Sequence, residues 1–308
     1  MVIMFKGKLK NSRLQARKNK QKDVYEMLLS IGPVKKAAIY ILSIMLVVVY
    51  MLPFYWMFLK MFRSSIFAHF PPNLNPFSQT SLGNLAVNFK SVVSFGSFPL
   101  WYFNSVFVAA VVVAASVLVG STAGYAFARL HFKGRDMLFY AVLSTLMIPF
   151  PVISIASYIF MLDLGWISTY QGLILPEIVS GLNVFIFRQY FLTFPADVEN
   201  AAKLDGLSPF QIFYKIAAPM AKPAFAAATI YTFIGTWNNF LWPLMEVHSQ
   251  NLFTLPLVLN FFKGVNGTQI YWNEMMTVVF LTLIPTLVIY VIFERYFVEG
   301  FSFSGVKG

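Results

Sequence analysis

The stretch Ala37-Ala-Ile-Tyr-Ile-Leu-Ser-Ile-Met-Leu-Val-Val-Val-Tyr-Met-Leu-Pro-Phe-Tyr-Trp-Met-Phe-Leu59 contains no charged side chain. A helix rises 1.5 Å per residue and crosses the hydrocarbon layer of a bilayer in about 20 residues. The run therefore reads as a membrane span. Five further stretches of similar length follow, at approximately residues 101–126, 137–160, 171–191, 224–244 and 275–293. The fourth is the weakest, because Glu177 and Arg188 lie within it. The pattern predicts an all-α integral membrane protein with six transmembrane helices.

Composition leads to the same class. Of the 308 residues, 58% are hydrophobic and 11% charged, against about 45–50% and about 25% in soluble domains. One water-soluble core of this length has no room for so much apolar surface. The absence of cysteine excludes disulfide scaffolds, cysteine nucleophiles, iron–sulfur clusters and cysteine-based zinc sites. His69, His131 and His248 are scattered without an H-x-x-x-H pair, so no metal site is expected and they read as loop or interfacial residues.

The net charge of +11 does not point to nucleic acid, because its distribution follows topology. Nineteen of the 23 Lys and Arg residues, counting Arg188 near the end of the fourth span, fall in the N-terminal arm, in the loops after the second and fourth spans, and in the C-terminal tail. The positive-inside rule places these segments, and so both termini, in the cytoplasm. Residues 1–36 read as a basic cytoplasmic arm attracted to anionic membrane lipid, not a cleaved signal, since the apolar run begins late and lacks a small-residue cleavage site. Residues 37–308 form the transmembrane domain. Of the larger outer loops, 60–100 carries Pro71, Pro72, Pro76 and Pro99, and 246–272 carries Thr254-Leu255-Pro256 with Gly264 and Gly267; both favour turns and short helices. No solenoid repeat is present.

The loop between spans 4 and 5, about 192–222, is the most informative. It reads Pro195-Ala-Asp-Val-Glu-Asn-Ala-Ala-Lys-Leu-Asp-Gly-Leu-Ser-Pro-Phe-Gln-Ile-Phe-Tyr-Lys-Ile-Ala-Ala-Pro219. Asp197 is expected to cap a first helix that ends at a left-handed Gly206. Ser208, Pro209 and Gln211 form the start of a second, with an S-x-x-Q capping box. Phe210, Phe213 and Ile216 recur at helical spacing, and Pro219 is expected to end the stripe. A helix–glycine turn–helix of small residues with a polar tip suits insertion into a groove on another protein. It equally suits an amphipathic loop lying on the bilayer.

Glu199-x-Ala201-Ala202-x-x-Asp205-Gly206, followed by Phe213, Ile216, Pro219 and Pro223, resembles the "EAA" loop of bacterial ABC importer permeases. Asn104-Ser105, Ala128-Arg-Leu-His-Phe-Lys-Gly-Arg135, Trp237-Asn238 with Trp242-Pro243, Thr254-Leu255-Pro256 and Gly305-Val-Lys-Gly308 are similar to the MalG-like sugar permease branch, in order along residues 37–308. The departure is Asn200, where the family has a glutamate directly before the two alanines; Glu199 stands one position earlier.

The resemblance implies the ABC importer permease fold and a bacterial cytoplasmic (inner) membrane location. It also implies transport of a carbohydrate, expected to be an oligosaccharide, delivered by an extracytoplasmic sugar-binding protein. A second, MalF-like permease chain and two ATP-binding subunits would complete the complex. No Walker A sequence occurs, so this chain is expected to be no enzyme and to hold no cofactor, with ATP and Mg bound by the partner ATPases. The coupling loop would engage one ATPase through Glu199, Asn200, Ala201, Ala202, Asp205, Gly206, Leu207, Phe210 and Phe213. Gly264, Val265, Asn266 and Gly267 occupy the position of the loop that contacts the binding protein.

Glu177 is an ionisable group inside a span, which ordinarily faces a cavity, a partner or water. With Trp237, Asn238 and Asn239 it is the candidate substrate path, and a purely structural pairing fits the same residues. Pro149, Pro151 and Pro285 can kink their helices, as hinges or as plain kinks. Three other functions compete: an ion-coupled secondary transporter, for which Glu177 is the one candidate charge relay; an integral-membrane enzyme, against which the singly scattered acids speak; and a coupling or scaffold subunit whose partner permease holds the sugar.

Overall fold

The computed structural model describes residues 32–64, 81–260, 262 and 271–304, with side chains to residue 294. The chain divides into two units, Met1–Leu59 and Lys60–Gly308. The first contributes helix α1 (Pro33–Met61), whose last two residues count with the second unit. Its side chains from Ile39 to Leu52 are exposed all round. A helix apolar on every face is suited to lipid or to another membrane helix.

The second unit is mainly helical among its described residues. α2 (Leu82–Ser94) is capped by Ser81, whose hydroxyl accepts from the Asn84 N–H at 3.0 Å. α3 (Phe98–Arg129) is a continuous 32-residue helix and the mast of the unit. α4 (Arg135–Ser144) and α5 (Phe150–Asp163) flank a short 3-10 turn and meet at 103°. Pro149 and Pro151 explain the bend, since neither offers an N–H to continue the ladder. α6 (Tyr170–Ile178) and α7 (Gly181–Leu192) are capped by Thr169 and Ser180. α8 (Ala196–Leu204), α9 (Pro209–Ile212), α10 (Lys222–Trp237), α11 (Leu241–Glu246), α12 (Leu255–Val258) and α13 (Trp272–Ser304) complete the order.

Four described stretches are long and apolar enough to cross a membrane: α1, α3, Tyr170–Leu192 and Trp272–Glu294. The bent α4–α5 pair makes a fifth if it is one crossing. The crossing expected at 224–244 is instead the 16-residue α10 followed by the six-residue α11. Asn238 produces part of that break: its side chain donates back to the Ile234 carbonyl at 2.9 Å, satisfying a helix-end acceptor. Pro285 lies within α13, which is one continuous helix.

The packing places α7 and α10 against α3. A Cβ at Gly120 would lie 2.7 Å from the Asn183 Cβ, and one at Gly124 2.6 Å from the Phe187 Cβ, so only glycine allows this approach. Toward the C-terminal end of α3, Tyr125, Ala128, Phe187, Phe191, Phe213, Ala217, Ala221 and Ala224 form one core. Nearer its N-terminus, Val108, Val112, Leu173, Ile174 and Trp242 form another. A third joins Trp101, Ala109, Phe233, Trp237, Leu255 and Val278.

Candidate functional site

The 192–222 segment adopts the expected helix–turn–helix. Gly206 has φ +78°, in the left-handed region, with nothing near its Cα to resist a side chain. Backbone conformation alone therefore asks for glycine here. Ser208 and Gln211 form both arms of the capping box, at 3.3 and 2.9 Å. Two local expectations are corrected. Asp197 lies inside the first turn and Pro195 holds the N-cap position, so the Asp197 carboxylate faces the helix dipole without being the cap. Pro219 does not end the second helix. The chain widens into a π-helical turn at Phe213–Ala217 and continues to Met220. Pro219 cannot donate to the carbonyl one turn earlier, and the wider turn absorbs that loss.

The loop has an anchored face and a free face. Ile212, Phe213 and Ala217 are buried, with the Phe213 ring 5.2 Å from that of Tyr125. Glu199 is also buried: Arg129, the last residue of α3, donates to its Oε2 through Nε and Nη2, and Lys203 lies 2.8 Å from Oε1. Burial opposes the charged carboxylate, but the hydrogen bonds and charges of Lys203 and Arg129 outweigh it and hold its pKa below the ordinary value. The free face presents Asn200, Ala201, Lys203, Asp205 and Gly206, with Leu204 90% and Phe210 69% exposed. Leu207 is half-buried and Ala202 buried. Of the nine residues assigned to coupling, Glu199, Ala202 and Phe213 thus fix the loop, and the others are offered outward or sit at its edge.

Of the candidate path residues, Glu177, Trp237 and Asn239 line one small cavity and Asn238 stands apart from it. Asn239 donates through Nδ2 to Glu177 Oε1, Thr236 bonds the same carboxylate, and Asn239 Oδ1 accepts from the Trp242 N–H at 3.3 Å. The cavity beside them, lined also by Ser105, Val108 and Thr254, has a volume of about 10 Å³, room for about one water. Asn238 turns to its own helix, and Trp237 packs on Phe233 while donating to the Thr282 carbonyl at 3.0 Å. Gly264, Val265, Asn266 and Gly267 lie outside the described residues, as do the arm to residue 31 and Gly305–Gly308.

Motifs far apart in sequence meet here. Asn104 donates to the Asn251 and Phe253 carbonyls at 2.8 and 3.1 Å, and Ser105 accepts from the Leu255 N–H at 2.7 Å, clamping the Thr254-Leu255-Pro256 turn to α3. Sequence reading missed three residues. Arg129 gave no sign that it would pair with Glu199. Asn183 donates to Ser116 and Thr232 at 2.9 and 2.8 Å, in the centre of the α3–α7–α10 contact. Glu246, two residues beyond the expected fifth span, is fully buried with no side-chain partner for its carboxylate, and burial, opposed by the Ser168 backbone N–H, raises its pKa to about 7. A carboxylate closing an apolar run was the one available signal.

Residues 116–302 match the family "binding-protein-dependent transport system inner membrane component". The arabinooligosaccharides transport system permease protein AraQ of Halalkalibacterium halodurans is 38% identical over 69% of this chain and 76% of its own length. The trehalose/maltose transport system permease protein MalG of Thermococcus litoralis is 30% identical over 89% and 98%. In solved structures, a chain of a bacterial ABC transporter involved in the import of the acidic polysaccharide alginate has the same fold, with a TM-score of 0.74, 19% identity, and coverage of 87% of this chain and 99% of that one. The chain therefore belongs to the family of binding-protein-dependent transport system inner membrane components, as a MalG-like permease subunit.

Proposed function

We propose that this chain is one of two permease subunits of an ATP-driven importer in the bacterial cytoplasmic membrane. It crosses six times with both termini in the cytoplasm and passes a carbohydrate delivered by an extracytoplasmic binding protein. The 192–222 loop docks into one of two partner ATPases, which bind ATP and Mg. The observation that carries this reading is the two-faced loop. A segment resting on lipid has no need of a buried Arg129–Glu199 bridge beneath it, whereas a segment that receives force does. The exposed Leu204 and Phe210 supply apolar anchors, and Asn200, Lys203 and Asp205 supply orientation. The names of the similar permeases, for arabinooligosaccharides and for trehalose or maltose, support a carbohydrate as cargo.

In this mechanism, closure of the ATPase pair displaces the loop, and α7 and α10, packed on α3, move with it. The narrow Glu177 cavity supports a further reading in which this subunit mainly couples and the partner permease holds the sugar. Uptake of radiolabelled maltose and arabinooligosaccharides by cells tests the energy source. Import that stops on ATP depletion and survives collapse of the proton gradient is expected. Import that follows the gradient instead would establish an ion-coupled transporter.

A further inference from the structure

We propose that Glu177 and Asn239 are positioning residues that clip a paired hinge, holding the two helical arms of the coupling loop in one conformation until ATP drives the loop. The proposal rests on the docking reading above. The loop is flanked by two arms, α6–α7 before it and α10–α11 after it, and both are broken. The first breaks between Ile178 and Gly181, the second between Trp237 and Leu241. The Glu177–Asn239 hydrogen bond joins one break to the other, so the breaks lie at the same level.

On either side of that level the arms are fastened. On the loop side, Asn183 bonds Ser116 and Thr232, the Phe187 and Phe225 rings meet at 4.7 Å, and the Tyr190 hydroxyl donates to the Met220 carbonyl at 2.6 Å. On the far side, Trp242 Nε1 donates to the Gly172 carbonyl at 3.0 Å and the Ser168 N–H to the Glu246 carbonyl at 3.1 Å. Two interrupted helices at one level need few ladder hydrogen bonds to be given up when they flex. A hydrogen bond across that point sets the barrier between the two arrangements.

The test exchanges donor and acceptor. Asn239→Asp removes the donor and sets two carboxylates face to face, yet still accepts from the Trp242 N–H. Glu177→Gln keeps an acceptor, and combined with Asn239→Asp it restores the bond in the reverse direction. The complete importer, purified from native membranes with its ATPase, is assayed for ATP hydrolysis without binding protein. Asn239→Asp is expected to raise this basal rate about tenfold, and the double variant to return it to within about twofold of wild type. Asn239→Ala, which adds no charge, should rise as Asn239→Asp does. A residue that merely packs would lower hydrolysis when replaced. Basal rates at the wild-type level in both Asn239 variants, or a double variant as fast as Asn239→Asp, overturn the clip. A wild-type preparation without any ATPase would instead refute the docking reading.

Discussion

The guanidinium of Arg129, which ends α3, grips the carboxylate of Glu199 in the first helix of the 192–222 loop, 70 positions further along the chain. The mast of the fold and the loop proposed to receive force are thereby one mechanical piece. Replacing Arg129 with Met leaves a buried carboxylate with Lys203 alone. Lys203 is half exposed, so the loss is about 2 kcal/mol and not the larger cost of a fully buried pair. The expected outcome is a complex that still reaches the membrane, melts at a lower temperature and couples hydrolysis to uptake poorly. Wild-type melting and coupling would assign the bridge no mechanical role.

Two carboxyl groups outside the spans predict opposite responses to pH. Glu199 is held below its ordinary value, so its stabilisation is complete above that value and is lost as pH falls through the lowered one. Glu246 is raised to about 7, so the folded state binds its proton more tightly than the unfolded state does. Stability then declines as pH rises from the ordinary carboxylate value to about 7, and levels off above, a difference on the order of 3 kcal/mol. Thermal unfolding of the purified complex between about pH 5 and 8 should show this decline, and Glu246→Gln should flatten it. An unchanged slope in that variant would place the titration elsewhere.

Gly124 sets the distance between α3 and α7. A Cβ there would meet the Phe187 Cβ at 2.6 Å and the Arg188 backbone nitrogen at 2.8 Å, and the backbone cannot move aside cheaply. Gly124→Leu is expected to cost about 3 kcal/mol or more and to reduce the amount of chain recovered from membranes. Gly235→Ala, at a glycine with open space around it, is the control and should accumulate normally.

What could be read from sequence was local. The Ser208–Gln211 capping box and left-handed Gly206 depend on neighbours three or four residues away, and both are present in the fold. Asp197 misled because Pro195, two residues earlier, suits a helix start equally well. The apolar run at 224–244 concealed a break, because hydropathy does not register the Asn238 side chain bonding its own helix. The Arg129–Glu199 and Asn183–Ser116–Thr232 contacts join residues tens of positions apart, and no local pattern encodes such meetings.

The central claim, that the 192–222 loop docks an ATPase, is tested most directly by purifying this chain in mild detergent from its native membrane and assaying what comes with it. A Gly206→Pro variant is purified in parallel, since proline cannot take the φ of +78° found there. The account predicts an ATP-hydrolysing protein bound to wild type and lost from the variant, at equal recovery of the chain. A well-expressed wild-type chain that carries no ATPase, or an ATPase held equally by both, would contradict it.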